Sequence, residues 1–210
     1  MTIEFEAWPS ISRLYREAIV TEKLDGSNAA FVVVEAEDDY LDSEYVGGTF
    51  STVDGVSYKF AAQSRKRLIS PKDDNFGFAK WAWGNAQALV GVLGPGKHYG
   101  EWWGNGIQRG YGLPRGEKRF SLFNTPRWRD TDLSSVDGLG VVPELYVGPF
   151  SLDKIEVVKE NLLKYGSVAS PGFMDPEGVV VYHTASRTAY KSTFDACDDP
   201  DWGGGKTWQK

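Results

Sequence analysis

The sequence predicts an α+β fold with mainly antiparallel sheets flanked by helices. Short apolar segments typical of strands outnumber helical segments, and several are joined by turns too short for the crossovers that parallel strands require. Strands and helices also follow one another without the regular alternation of a doubly wound sheet. With 41% apolar and 14% aromatic residues among 210, the chain has enough apolar side chains for one compact core.

The first half of the chain contains the clearest turn and helix signals. Two predicted strands, Ile19–Lys23 and Ala29–Glu35, flank an Asp-Gly turn. An acidic stretch at 37–54 predicts an exposed loop or hairpin tip. Apolar residues at helical spacing predict one helix over Asn75–Leu93, which ends at the breaker Gly94-Pro95-Gly96.

The remaining predicted elements are mostly strands. Ser151 is predicted to be the N-cap of a helix that continues to Tyr165. Residues 1–195 are expected to form one domain, and residues 196–210 a flexible tail. The other predicted strands are Ser57–Ser64, His98–Trp103, Arg119–Asn124, Val141–Tyr146, Gly178–His183 and Thr188–Ser192.

Composition argues against several classes of protein. Because the chain has one cysteine, Cys197, it has no intrachain disulfide, and a reducing, cytoplasmic setting is expected (the host cytoplasm if a phage encodes it). No apolar stretch approaches the roughly 18 residues needed to span a membrane, so no membrane partner is expected. The spacing of His98, His183 and Cys197 does not match a zinc site.

Charge is unevenly distributed along the chain. The formal net charge is −6, yet the segment Gln63–Arg129 contains twelve Lys and Arg against four acids. The segment Glu35–Asp54 contains seven acids and no Lys or Arg. A basic middle segment in an acidic protein favours a phosphate-binding surface, with a solvated mixed-charge surface as the alternative.

The strongest chemical signal is the lysine in the stretch Thr21–Asn28. Lys23 follows an apolar segment and precedes a tight polar turn, which would present its amine at a fixed point above a sheet edge. A held, partly desolvated lysine amine is a covalent nucleophile once it is uncharged. Neighbouring cations lower the pKa of a lysine, and Arg65 and Lys191 would supply positive charge if they converge on Lys23.

Two strand segments in the middle of the chain add candidate ligand contacts. Glu101 ends a strand among aromatic residues, where a carboxylate would accept hydrogen bonds from ribose hydroxyls. Phe120 and Phe123 are three residues apart and therefore face opposite sides of a strand. One would then pack in the core while the other stacks on a base.

The last two strands carry a carboxylate and a cation. Glu177 precedes the apolar strand at 178–183, a suitable place to hold a metal ion near phosphates. Lys191 lies on the following strand and could reach the same phosphates as a point charge.

The order of these segments resembles the collinear motifs of the covalent nucleotidyltransferases. Within that superfamily the chain is most similar to the RNA ligase family typified by the second RNA ligase of phage T4, because of Thr21-Glu22-Lys23 and Gly26-Ser27-Asn28. The segment Gly100–Gly112 (GEWWGNGIQRGYG) is similar to a phage-encoded branch of that family. The matching segments are Lys23-Leu24-Asp25-Gly26, Ser64-Arg65, Gly100–Gly104, Phe120–Phe123, Glu177–Val180 and Tyr190-Lys191.

The resemblance implies a fold, a reaction and a set of site residues. The fold would be an ATP-grasp-like nucleotidyltransferase domain with the nucleotide in a cleft between sheets. ATP and Mg²⁺ or Mn²⁺ would adenylylate the lysine, AMP would pass to a 5′-phosphate end, and a 3′-hydroxyl would displace AMP. The implied residues are the nucleophile Lys23, the adenine and ribose contacts Glu22, Asn28 and Glu101, the phosphate contacts Arg65 and Lys191, the stacking residue Phe123 and the metal-positioning Glu177.

Two departures from the family pattern affect these expectations. Ala189 stands where the family usually has the first of two lysines, so that phosphate contact is missing or comes from elsewhere, for example from Arg187. The sequence after Lys191 has no room for the oligonucleotide-binding barrel or the helical domain found in relatives. Nucleic acid would then be bound by an accessory partner or by the basic segment, including Arg109, Arg115, Lys118 and Arg119.

The sequence thus predicts an ATP-dependent polynucleotide ligase that joins nicked or broken RNA and acts as a monomer. A minimal ATP-dependent DNA ligase is the alternative within the same class of enzyme. A non-catalytic nucleic-acid-binding domain on the same scaffold is the alternative from a different class.

Overall fold

A computed structural model of the chain describes residues 4–36, 45–47, 50–51 and 55–194. The strands are β1 (Glu17–Lys23), β2 (Ser27–Glu35), β3 (Phe50–Ser51), β4 (Ser57–Ser64), β5 (Leu68–Ile69), β6 (Gly96–Gly104), β7 (Lys118–Leu122), β8 (Leu139–Val141), β9 (Glu144–Pro149), β10 (Gly178–His183) and β11 (Thr188–Thr193). The helices are α1 (Phe78–Gly84), α2 (Ala86–Leu93), α3 (Thr125–Trp128) and α4 (Leu152–Tyr165).

Within the described residues the strands form two sheets. The four-stranded sheet has the order β11-β10-β1-β9 and is antiparallel throughout. The seven-stranded sheet has the order β3-β4-β2-β6-β7-β8, with β5 beside β4, and is antiparallel except for the β7–β8 pair. The predicted α+β class with mainly antiparallel sheets is therefore confirmed.

The chain passes from one sheet to the other on either side of the cleft between them. Strands β1 and β2 are consecutive in sequence but lie in different sheets, so residues 24–26 form the first crossing. The chain returns at Val142-Pro143, between β8 and β9. There the Val142 N–H donates to Leu122 O in one sheet (3.1 Å) and Pro143 O accepts from the Glu22 N–H in the other (2.9 Å).

The second crossing corrects one predicted strand. The apolar run Val141–Tyr146 was expected to be a single strand, but β8 ends at Val141 and β9 begins at Glu144. Proline has no N–H and is excluded from the interior of a sheet ladder, so Pro143 divides the run.

Helices cover the outer face of each sheet. Helices α1 and α2 pack on the seven-stranded sheet around buried residues such as Phe31, Phe78 and Phe120. Helix α4 packs on the four-stranded sheet, where Ile155 and Leu162 meet the apolar residues of β1 and β10. The inner faces of the two sheets therefore face each other. No helix among the described residues has the length and apolar character required to cross a membrane.

The predicted helix Asn75–Leu93 is wrong in its start and its continuity. Its first residues form a turn, because Asp74 accepts hydrogen bonds from the backbone N–H groups of Asn75, Ala79 and Lys80. The helix then breaks at Asn85, whose side-chain Nδ2 donates to Trp81 O (2.9 Å). Side-chain hydrogen bonds of this kind compete with the helical ladder, and periodicity does not reveal them.

Other predictions agree with the structure or lie outside it. The helix capped by Ser151 is confirmed, with the Lys154 N–H donating to Ser151 Oγ (3.4 Å). Within the predicted acidic loop at 37–54, Phe50–Ser51 pairs with β4, while residues 37–44, 48–49 and 52–54 lie outside the described residues. The predicted tail at 196–210 and Cys197 also lie outside them.

The two phenylalanines of the β7 segment give a test of the fold. Phe120 is fully buried and Phe123 is 40% exposed. We expect Phe120→Ala to lower the free energy of unfolding by about 3–5 kcal/mol, because it removes a large buried side chain and leaves a cavity. We expect Phe123→Ala, the matched control, to lower it by about 0.5 kcal/mol or less. Denaturant unfolding of both variants measures this, and equal losses would contradict the assignment of Phe120 alone to the core.

Candidate active site

A cavity of about 580 Å³ lies between the inner faces of the two sheets. One wall carries alternate residues of β1 and β10, including Thr21, Lys23 and Val180. The opposite wall carries Tyr99 and Glu101 of β6 and, just after β7, Phe123. The volume falls within the range of small-molecule sites. Further lining residues are Ile19, Lys97, Asn124, Arg127, Tyr182 and Ala189.

Lys23 lines this cavity, and its amine is in contact with a carboxylate. Lys23 is the last residue of β1, and its Nζ is 2.5 Å from Glu177 Oε1. Both side chains are largely sheltered, with 23% and 13% of their surfaces exposed. Burial raises the pKa of Glu177, and the hydrogen bond and charge of Lys23 oppose that rise. The structure therefore brings together two residues that are far apart in sequence.

The turn after Lys23 requires a glycine for a steric reason. A side chain at Gly26 would place its Cβ 2.5 Å from Trp102 O and 2.9 Å from Trp103 Cβ, both on β6. Because Ser27 pairs directly with Trp102, the turn cannot move away without breaking the start of β2. The glycine after Lys23 and Asp25 thus allows the turn to lie against the opposite sheet.

The carboxyl group of Glu101 lies in an environment that disfavours its charged form. Burial raises its pKa to about 7, the Lys23 amine opposes the rise, and the charge of Glu177 adds to it. A carboxyl group with such a pKa is partly protonated at neutral pH and can both donate and accept hydrogen bonds. Asn28 lies directly opposite Glu101 in the β2–β6 pairing, so the two side chains share one face of the sheet.

Phe120 and Phe123 face opposite sides of the sheet, as predicted, while base stacking by Phe123 stays a prediction. Phe120 packs against Phe78 and Trp81 in the core, whereas Phe123 lines the cavity. Val180 lines the cavity from the opposite sheet. A flat ring between Phe123 and Val180 would contact apolar surface on both sides.

Glu22, which was predicted to contact the ligand, is a buried residue that also has a structural role. It is 1% exposed, and its Oε2 accepts hydrogen bonds from the N–H groups of Val168 (2.9 Å) and Ala169 (3.0 Å). Its Oε1 has no hydrogen-bond partner among the described residues. Burial raises the pKa of Glu22, and hydrogen bonds with the Ser167 side chain and with the backbone of Ala169 and Val168 oppose the rise. Glu22 therefore ties β1 to the segment after α4 while one oxygen stays available.

The two predicted cations differ in their relation to the cavity. Lys191 pairs with Val180 in the β10–β11 register, so its side chain is on the cavity face of the sheet, in the row next to that of Lys23. Arg65 follows β4, is exposed and is not among the cavity residues. The contact that the structure gives the Lys23 amine is with the carboxylate of Glu177, which immediately precedes β10. An action of the two cations on Lys23 stays a prediction.

Three of the four cations named for the expected nucleic-acid surface have partners within the described residues. Arg109 pairs with Asp25 (3.1 Å) and with Asp175 (2.8 Å), and Arg119 pairs with Glu117 (2.5 Å). Lys118 donates to Phe76 O (2.6 Å). Of the four cations expected to hold nucleic acid, Arg115 is the one for which the described residues provide no partner. Sequence alone gives no signal for the contacts of Arg109 and Lys118, because each links separate parts of the chain, whereas Arg119 pairs with an acid two residues away.

The sequence interpretation also missed Tyr111. This residue lies in the glycine-rich segment after β6 and is fully buried under the turn that follows Lys23. Its hydroxyl accepts a hydrogen bond from the Asp25 N–H (3.0 Å) and donates one to Lys23 O (3.3 Å). The available signal was a lone aromatic residue between two glycines, Gly110 and Gly112.

The donor atoms around Lys23 fit a divalent cation that is bound mainly by its substrate. The described residues contain no cluster of three or more His, Cys, Asp or Glu able to hold a metal ion. Glu177 Oε2 is buried without a hydrogen-bond partner in this part of the chain, which leaves one carboxylate oxygen for coordination. Mg²⁺ is commonly bound by one or two carboxylates together with substrate phosphates and water.

The raised pKa of Glu101 predicts a stability effect with a defined sign. Between its ordinary pKa of 4.5 and its folded pKa of about 7, the unfolded chain loses the proton first, so stability falls as pH rises through this window. Glu101→Gln removes the effect. We expect this variant to gain up to about 3 kcal/mol in unfolding free energy relative to wild type between pH 4.5 and pH 8. Denaturant unfolding at both pH values measures the gain, and a constant difference would contradict the assignment.

Comparison with known proteins identifies the family. The family model described as RNA ligase matches residues 16–196, which include every predicted site residue. A comparison with curated proteins and one with solved structures each gave no match. Because the matched segment spans most of the sequence, from β1 through β11, the chain belongs to the RNA ligase family.

Proposed function

We propose that this protein is an ATP-dependent RNA ligase that works through a lysyl-AMP intermediate on Lys23. The observation that carries the proposal is that Lys23 lines a nucleotide-sized cavity and has its amine 2.5 Å from Glu177 Oε1. Membership of the RNA ligase family supports ligase activity in general. The proposal takes residues 1–195 as the catalytic domain and includes a monomer acting in the cytoplasm.

The first chemical step is the transfer of AMP to Lys23. The amine must lose a proton before it can attack, and Glu177 Oε1 is the acceptor in contact with it. The Nζ–Pα bond forms as the bond between Pα and the bridging oxygen breaks, and pyrophosphate leaves. Because burial raises the pKa of Glu177, this carboxylate is a better proton acceptor than an ordinary glutamate.

The cavity walls support a definite placement of the nucleotide. We assign the adenine to the space between Phe123 and Val180, where the two sheets offer apolar surface on both faces. Glu101 then faces the ribose, with Asn28 beside it on β2. The free oxygen of Glu22 is an acceptor that suits the exocyclic amine of adenine.

The phosphates require positive charge, which the resting cavity lacks next to Lys23. Lys191 is on the cavity face and is assigned to the α-phosphate. When bound, a divalent cation would neutralise phosphate charge, with Glu177 Oε2 as its protein ligand. Electrostatic stabilisation of this kind supplies most of the catalysis in phosphoryl transfer.

The RNA end is assigned to exposed cations near the turn after Lys23. Arg65 and Lys66 follow Ser64, which pairs with Ala29 close to that turn. Lys72 lies in the same connection between β4 and α1, after the short strand β5. Within the described residues, these three cations and Arg115 make no ion pair or hydrogen bond, so they are available for phosphate contacts. AMP then passes to the 5′-phosphate, and a 3′-hydroxyl displaces it to seal the strand.

The first test is self-labelling. We expect the protein to become labelled when it is incubated with Mg²⁺ or Mn²⁺ and ATP carrying a label on the α-phosphate. Lys23→Arg keeps the positive charge beside Glu177 but has no amine of suitable pKa, so it should remain unlabelled. Gel analysis after denaturation measures the label. If wild type stays unlabelled with every metal, a binding domain is favoured, and label on Lys23→Arg would exclude the proposed nucleophile.

The second test concerns the substrate. Nicked duplexes in all four combinations of RNA and DNA strands are offered together with single-stranded RNA ends. We expect sealing where the strand supplying the 3′-hydroxyl is RNA, because the family match is to RNA ligases. Electrophoresis of the joined product measures the yield. Faster sealing of all-DNA nicks would instead identify a minimal DNA ligase.

A further inference from the structure

The segment between β6 and β7 contains an unusual backbone conformation. We call residues 104–112 the glycine loop. Four of its glycines have positive φ, and so does Tyr111, with φ 52° and ψ 26°. A bulky residue in this left-handed region is strained, and such strain persists only where surrounding contacts determine it. The glycines are Gly104, Gly106, Gly110 and Gly112.

The strained residue makes two hydrogen bonds to the backbone that carries the nucleophile. The Tyr111 hydroxyl donates to Lys23 O (3.3 Å) and accepts from the Asp25 N–H (3.0 Å). These two groups lie on either side of Leu24, where the chain leaves one sheet for the other. One phenol thus uses its single proton and an oxygen lone pair to hold both peptide groups.

Tyr111 is itself held from several sides. Its ring lies between Trp103 (ring centroids 5.1 Å apart) and Phe173 (4.7 Å apart). Its carbonyl oxygen accepts a hydrogen bond from Ser170 Oγ (2.7 Å). The segment that contains Ser170 also binds Glu22 through backbone N–H groups, so the contacts of Tyr111 connect elements on both sides of Lys23.

A second residue of the glycine loop acts on the same turn. Arg109 Nε donates to Asp25 Oδ2 (3.1 Å), and its Nη1 pairs with Asp175 Oδ1 (2.8 Å). Asp175 lies two residues before Glu177. Arg109 therefore joins the turn after Lys23 to the segment that presents Glu177.

We propose that the glycine loop positions the Lys23 amine for attack, with Tyr111 as the main positioning residue and Arg109 as its second contact. This inference rests on the proposed lysyl-AMP step. Holding the peptide groups on both sides of Leu24 determines the direction in which the Lys23 side chain leaves the backbone. Small displacements of a nucleophile reduce the rate of attack strongly without changing how the substrate binds.

The proposal separates the steps of the reaction. The attack of Lys23 on ATP depends on the direction of the amine, whereas sealing of an RNA end that already carries AMP does not require that attack. Tyr111→Phe keeps the ring between Trp103 and Phe173 and removes the hydroxyl. Tyr146→Phe is the matched control, because the Tyr146 hydroxyl also donates to a backbone carbonyl, Pro149 O (2.8 Å), but lies outside the cavity.

The experiment measures lysyl-AMP formation and the sealing of chemically pre-adenylylated RNA. Both are followed at a temperature where circular dichroism shows each variant to be folded. For Tyr111→Phe we expect the rate of lysyl-AMP formation at saturating ATP to fall about tenfold or more, with KM for ATP within about twofold of wild type. Sealing of pre-adenylylated RNA should stay within about twofold, as should both rates for Tyr146→Phe.

The outcomes distinguish this inference from the proposed function. If wild type forms no lysyl-AMP, the proposed function fails and the inference fails with it. If wild type is labelled and Tyr111→Phe is labelled at a similar rate, the inference alone is overturned. Equal losses in both steps would also overturn it, because they indicate a general structural defect. If Tyr111→Phe does not fold, Arg109→Met takes its place, with the same selective loss expected and the same results overturning the inference.

Discussion

The structure depends on one constraint: consecutive strands β1 and β2 lie in different sheets. The residues between them must turn sharply, lie against β6 and still present Lys23 to the cavity. Gly26 meets the steric demand of this turn, and Tyr111 and Arg109 satisfy its polar groups. The position of Lys23 is therefore a property of the junction between sheets, and neither sheet alone would produce it.

Burial of acidic groups makes the cavity electrostatically costly for the protein. The Lys23 amine is paired with Glu177, and burial raises the pKa values of both Glu177 and Glu101. Under the proposed function, cations that bind together with an anionic ligand would offset this cost. The buried acids thus reduce the stability of the protein at this site, a common trade-off in enzymes.

Much of the fold could be predicted from the sequence, as could the grouping of several candidate site residues. Lys23, Phe123 and Glu177 stand at strand ends, where alternation and turn signals are strong, while Glu101 lies within β6, and the cavity contains or adjoins all four. Long-range side-chain contacts could not be predicted. The hydrogen bonds of Asp74 to the first turn of α1 and the pairing of Arg109 with Asp25 depend on competing local hydrogen bonds or on a neighbour distant in the sequence. The strand break at Pro143, by contrast, follows from a residue that the sequence displays.

The pairing of β1 has a consequence for synthesis of the chain. Strand β1 precedes both of its partners, β9 and β10, in the sequence. Thr21 can therefore pair with Glu144, and Ala18 with His183, only after these later residues have been synthesised. The seven-stranded sheet is encoded between these partners and can assemble first, since its contacts are more local. On a ribosome, Lys23 would then reach its final position late, after the cavity wall formed by β6 already exists. A nascent chain would complete the candidate site only when β9 and β10 have emerged.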